Sequence, residues 1–147
     1  MPLSKPHVVR FSLGLILIAL VAGCGGGGNG GTPDTTTPAI SNVRIILPPG
    51  FDWHGGDVTI QADVTDASGV SVVRATVTLP DSSQATVPMA LAIGDTYSGT
   101  YDAPANPGSA AETYSVVVTA TDTKGNTGSS PPFTFDVPAP QAPPPNP

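Results

Sequence analysis

Tyr114-Ser115-Val116-Val117-Val118-Thr119-Ala120-Thr121-Asp122 decides how this chain folds. Tyr114, Val116, Val118 and Ala120 fall on one face, and Ser115, Thr119 and Thr121 on the other. That period of two belongs to a half-buried β-strand. The pattern recurs upstream. In Asp57–Val64, the residues Val58, Ile60, Ala62 and Val64 share a face. Val73, Ala75, Val77 and Leu79 do the same, with Arg74, Thr76 and Thr78 turned to water. Weaker runs lie at 41–47, 84–91, 96–102 and 133–137. Between the runs stand turn signals: Pro48-Pro49-Gly50, Ala67-Ser68-Gly69, Pro80-Asp81, Gly94-Asp95, Asn106-Pro107-Gly108 and Lys124-Gly125-Asn126. Helical periodicity is absent. Seven short strands with polar outer faces predict an all-β fold, a seven-stranded antiparallel β-sandwich over 39–137.

Composition bounds the function. The 147 residues include 17 Gly, 18 Pro, one Cys, one Trp and two His, with a formal net charge of -6. One Cys excludes an internal disulfide framework. An acidic chain without a basic stripe argues against nucleic-acid binding. Residues 25–31 are Gly-rich and 32–38 are rich in Thr and Pro, so 24–38 reads as a flexible tether. Fourteen such residues reach roughly 20 Å. The tail 138–147 is rich in proline and reads as an extended spacer.

The first residues read as an address. Lys5 and Arg10 precede an apolar run, 11–22, too short to span a bilayer, which describes a secretory signal over 1–23. Leu20-Val21-Ala22-Gly23-Cys24 resembles the bacterial lipobox. The resemblance implies cleavage before Cys24, a diacylglycerol thioether on its sulfur and an acyl chain such as palmitate on the new amino terminus. Several buried acyl chains at about 0.8 kcal/mol per methylene hold a protein on a membrane. Cleavage leaves 124 residues with Arg44, Arg74, Lys124 and all 11 acids, so the anchor and not the acidic body must hold the membrane. The expected location is the bacterial cell envelope. Gly25 after the Cys implies the outer membrane if the host is Gram-negative.

Tyr114-Ser-Val-Val-Val-Thr-Ala-Thr-Asp122-Thr-Lys-Gly125-Asn126 is similar to the penultimate strand and following loop of bacterial Ig-like and fibronectin type III-like domains. Val58-Thr-Ile-Gln-Ala-Asp-Val-Thr-Asp66-Ala-Ser-Gly69-Val70 resembles their second strand and its loop. The resemblance implies an Ig-like sandwich without the paired Cys of antibody domains. It also implies that Tyr114 packs its ring inward and bonds its hydroxyl to backbone, as in a tyrosine corner.

Three candidate sites follow. In that fold, the loops after the second and sixth strands share one end, so Asp63, Asp66 and Asp122 are expected to converge with Asn126 near. Clustered oxygen ligands suit Ca²⁺. Asp66 and Asp122 can equally close Asx-turns on their own backbone. Phe51-Asp52-Trp53-His54 forms an aromatic loop at the opposite end. Phe51, Trp53 and His54 can contact a protein or glycan partner, or the rings can plug the sandwich. Catalysis lacks material: His54 is the sole imidazole after cleavage, no Ser or Cys motif accompanies it, and Glu112 is the only Glu. The expected role is a membrane-anchored, non-catalytic interaction or adhesion module. A structural spacer in an envelope complex and a calcium-dependent glycan- or protein-binding module are the alternatives.

Overall fold

A computed structural model describes residues 33–141. Cys24, the signal segment and most of the tether and tail lie outside the described residues. The body is all-β. Its strands are β1 (Ala39–Ile46), β2 (Gly56–Thr65), β3 (Val70–Thr78), β4 (Gln84–Ile93), β5 (Thr96–Ala103), β6 (Glu112–Asp122), β7 (Thr127–Ser129) and β8 (Phe133–Val137). Among the described residues no helix is long and apolar enough to cross a membrane.

Every pairing is antiparallel, and the order is β1-β2-β5-β4-β3-β6, with β7 and β8 both on β6. The sheet curls into a half-barrel consistent with a β-sandwich. Strand β4 makes the fold-over. Its first half, Gln84–Met89, pairs with β3, and its second half, Ala90–Ile93, pairs with β5. Pro88, which has no N–H to give a ladder, sits near this change of partner.

The seventh expected strand, 133–137, is β8, and β7 is an additional short strand before it. β7 lies against Thr119–Thr121, and β8 against Glu112–Val116, along β6. Ser130, Pro131 and Pro132 interrupt them, because proline cannot donate to the ladder. Ser130 bridges part of the gap. Its N–H donates to the Val118 carbonyl at 2.8 Å, and its Oγ accepts from the Val118 N–H at 3.0 Å.

The alternation read from the sequence sets the core. Val58, Ile60, Ala62, Val73, Ala75, Val77, Val116, Val118 and Ala120 are all buried. Removing a Val or Ile of this kind from water contributes about 1.5–3 kcal/mol. At one end the Tyr114 ring stacks on Phe135, with centroids 5.0 Å apart, and both approach Tyr101 from the opposing strand β5. The Tyr114 ring faces inward as expected, but its hydroxyl departs from the tyrosine-corner pattern. It lies 3.4 Å from the Glu112 carboxylate and donates there rather than to backbone. Burial, then the Glu112 charge, pushes the Tyr114 pKa up to about 12.

Candidate functional site

The strand order places two loop clusters at opposite ends of the body. One is acidic. The β2–β3 and β6–β7 loops dock on each other through Thr123, whose N–H donates to the Gly69 carbonyl at 2.9 Å and whose Oγ1 donates to the Ser68 carbonyl at 2.7 Å. Each loop is closed by its own aspartate. Asp66 Oδ1 accepts from the Ser68 N–H and hydroxyl at 2.8 and 2.7 Å. Asp122 Oδ1 accepts from the Lys124 and Asn126 N–H groups at 2.8 Å each, and its Oδ2 accepts from Asn126 Nδ2 at 2.7 Å. Both are Asx-turns in form.

A third carboxylate joins them from the segment before β1. Asn126 Nδ2 also donates to the Asp34 carbonyl at 3.1 Å. Pro38 is buried, and its carbonyl lies where a side chain on Gly128 would have to go. Residues 33–38, expected as the end of a solvated tether, therefore lie against the body. Asp34, Asp66 and Asp122 each offer a carboxylate oxygen, and these atoms lie within 4.8 Å of one another.

Asp63 does not belong to this group. It faces outward on β2 between the inward Ala62 and Val64. Its Oδ1 accepts from Thr96 Oγ1 at 2.6 Å and its Oδ2 from Asn42 Nδ2 at 2.8 Å. Asn42 reaches it from a bulge in β1, where its φ is 49°. The expected quartet of Asp63, Asp66, Asp122 and Asn126 is thus corrected to Asp34, Asp66 and Asp122, with Asn126 as the hydrogen-bonding bridge.

The charges at this end are held in place. Hydrogen bonds from the Thr36 N–H, then its hydroxyl, keep the Asp34 carboxyl below its ordinary pKa. Burial works against ionisation of Asp122, but the Asn126 side chain and the Asn126, Lys124 and Gly125 backbone outweigh it, and its pKa is lowered. Asp66 Oδ2 is buried and has no hydrogen-bond partner among the described residues. Close carboxylates kept ionised repel one another, and a divalent cation with oxygen ligands relieves that repulsion. A groove of about 370 Å³ runs beside Asp66, lined also by Val70, Leu91, Asp95 and Tyr97.

The other end is aromatic. Residues 47–55 link β1 to β2 and are folded on themselves. The Phe51 N–H donates to the Pro48 carbonyl and the Gly55 N–H to the Asp52 carbonyl, both at 3.1 Å. Asp52 Oδ1 accepts from the His54 N–H and from Nδ1, both at 2.9 Å, and these bonds, backbone first, lower the Asp52 pKa. The His54 ring lies 3.7 Å from the Trp53 ring, tilted by 31°. Phe51 packs against the core, Trp53 is half-buried and His54 is exposed. Gly55, at φ 74°, lies so close to the Ala103 carbonyl that no Cβ fits. With Pro138, Ala139 and Gln141, the residues Phe51, Asp52 and Trp53 line a cavity of about 420 Å³.

Asn106 organises this end, and the sequence reading had it only as a turn residue. It is fully buried. Its backbone N–H donates to the Trp53 carbonyl at 2.8 Å. Its side-chain Nδ2 donates to the Ala110, Val137 and Pro138 carbonyls at 2.8, 3.1 and 3.2 Å, and its Oδ1 accepts from the Gly108 N–H at 2.9 Å. One residue, through its backbone N–H and its side-chain amide, thus joins the aromatic loop, the β5–β6 loop and the start of the tail.

The chain is similar to a segment of halomucin from Haloquadratum walsbyi, with 34% identity over 99 residues. The match covers 66% of this chain and 1% of halomucin, so the chain spans a very small part of that protein's length. No protein-family profile matches the chain.

Proposed function

We propose that this chain is a cell-envelope lipoprotein that displays one Ig-like, fibronectin type III-like sandwich as a non-catalytic interaction or adhesion module, with the aromatic end as its working end. The observation that carries this reading is the polarity of the body. The chain enters it beside Asp34 at the acidic end, and the 420 Å³ cavity lined by Trp53 opens at the other. The likeness to a stretch of halomucin supports a surface-type protein. The half-barrel order of strands, with β4 shared between its two halves, supports the Ig-like assignment. The test is labelling of cells with a clickable palmitate analogue, followed by protease treatment of intact cells. The wild-type chain takes the label and is cut from outside, and Cys24→Ala takes none. An unlabelled wild-type chain, or one protected in intact cells of a host that exposes its lipoproteins, overturns the reading.

A second reading concerns the acidic end, and one observation favours it: among the described residues the buried Asp66 Oδ2 lacks a partner, beside two carboxylates held ionised. We propose that Asp34, Asp66 and Asp122 hold a Ca²⁺ ion that ties the incoming chain to both loops. A bound ion raises the melting temperature by linkage. Melts of the intact chain in EDTA and in millimolar Ca²⁺ differ if this is so, and the difference vanishes in Asp66→Ala. Coincident melts rule the ion out.

A further inference from the structure

We infer that the cavity at the aromatic end is a subsite for an uncharged saccharide ring. This rests on the aromatic end being the working end. A pyranose presents two chemistries at once. Its axial C–H bonds form an apolar face that needs a flat ring to lie on, and its hydroxyls form a polar rim that needs fixed acceptors and donors. The cavity supplies both. Trp53 and Phe51 bring aromatic rings to the lining, and Asp52 and Gln141 bring polar side chains. Its volume of about 420 Å³ lies within the range of small-molecule sites, about 300–1,000 Å³.

The polar wall is selective. Asp52 Oδ1 is occupied by the His54 N–H and Nδ1, while Oδ2 makes no hydrogen bond among the described residues. An ionised carboxylate only accepts, so it takes hydroxyl protons and repels a uronate or sialate. Among the described residues no Lys or Arg lines the cavity to reverse that preference. A proline-rich peptide would use the aromatic rings but has no hydroxyl to offer the carboxylate.

The wall is also set before a ligand arrives. The Trp53 carbonyl is held by the buried Asn106, the His54 ring lies against the indole, and Asp52 closes its own turn. A ring held in this way loses little freedom when a sugar stacks on it, which removes part of the cost of binding.

Trp53 is the only tryptophan, so its emission reports this site alone. The intact chain is titrated with maltotriose, with the N-acetylglucosamine trimer and with the galacturonic acid trimer. The expected result is a saturable emission change with at least one neutral trisaccharide, and binding weaker by about tenfold or more for the uronate. Calorimetry on variants then locates it. Trp53→Ala abolishes binding, Trp53→Phe restores part of it, and Asp52→Asn narrows the preference against the uronate, all with melts close to wild type. If Trp53→Ala fails to fold, the Asp52→Asn result decides alone. Absence of response to both neutral sugars overturns the proposal, as does saturation only by a synthetic peptide of sequence APPPNP. Neither result bears on lipid labelling of Cys24, so this inference and the envelope reading fail separately.

Discussion

At the acidic end, Asp34, Asp66 and Asp122 come from three chain segments and meet as charges. At the aromatic end, one uncharged, fully buried residue, Asn106, joins three segments by hydrogen bonds from its backbone and side chain. The same sandwich therefore closes its two ends by different physics. A buried neutral hub is indifferent to salt and cations and intolerant of truncation. A carboxylate cluster responds to cations and pH, because its cohesion depends on what balances the charge. The difference teaches where to look for each behaviour: recognition by a preset surface at one end, and conditional ordering at the other.

The largest effect is expected at the hub. Asn106→Ala leaves the buried Val137 carbonyl, the Ala110 carbonyl and the Gly108 N–H without their partner, at a cost of about 3 kcal/mol in urea unfolding. The Trp53 emission of the folded variant should shift to the red as the loop loosens. A loss below about 1 kcal/mol would mean that water replaces the amide.

The second effect tests the contrast from the other side. If the acidic end holds Ca²⁺, an excess of a hundredfold over Kd adds about 2.7 kcal/mol of stability. Trp53 emission should not change with the metal, since the rings lie at the opposite end. Emission that tracks the Ca²⁺ titration would show the two ends to be coupled and break the comparison.

Gly128→Ala should have a smaller cost, about 1–2 kcal/mol, because the added methyl collides with the Pro38 carbonyl. It displaces the segment that carries Asp34 and leaves the Asp66 and Asp122 loops in place. The Ca²⁺-dependent rise in melting temperature should therefore shrink in this variant. An undiminished rise would remove Asp34 from the ligand set.

The smallest effects are in pH, and the carboxyls and Tyr114 act with opposite signs. The Asp34, Asp63 and Asp122 carboxyls have folded pKa values below the ordinary 3.8. Their contribution is fully present above that value and is lost as pH falls through the lower folded values. Tyr114 is the reverse. Its pKa is raised from 10.0 to about 12, so its contribution is present below 10 and is lost as pH rises through the folded value. Melts across pH should show separate acid and alkaline declines, and hydrogen exchange should place part of the acid one in the 122–126 loop. An alkaline decline that leaves the strand carrying Tyr114 protected would contradict the assignment.

Much of the fold was legible because a strand's faces alternate locally. Val58 to Val64, and Tyr114 to Ala120, carry their own burial pattern whatever they pair with. β7 was missed because Thr127–Ser129 is too short for a period to register. Asp66 and Asp122 were legible as loop-closing residues, since an Asx-turn is a local device. Asp34 was not, for it meets Asn126 across 92 positions, and nothing in a Thr- and Pro-rich stretch marks it as docked. Asp63 was misplaced through reading proximity in sequence as proximity in space. It stands on the outer face of β2, and strand alternation turned it towards Asn42 and Thr96. Asn106 looked like any turn asparagine, and its burial arises from segments that reach it from elsewhere in the chain.

The chain enters the body at the acidic end and leaves it at the aromatic end, next to Phe51 and Trp53. A mechanical pull between Pro33 and Gln141 therefore runs along the strands. The rungs joining β1 to β2 and β6 to β8 lie across that line, since antiparallel hydrogen bonds are perpendicular to their strands. They are loaded in shear, many at once, rather than peeled in sequence. Pulled in an optical trap from Pro33 and Thr123, both at the acidic end, rungs should open one at a time and at lower force. A body with this attachment geometry resists extension between its two ends.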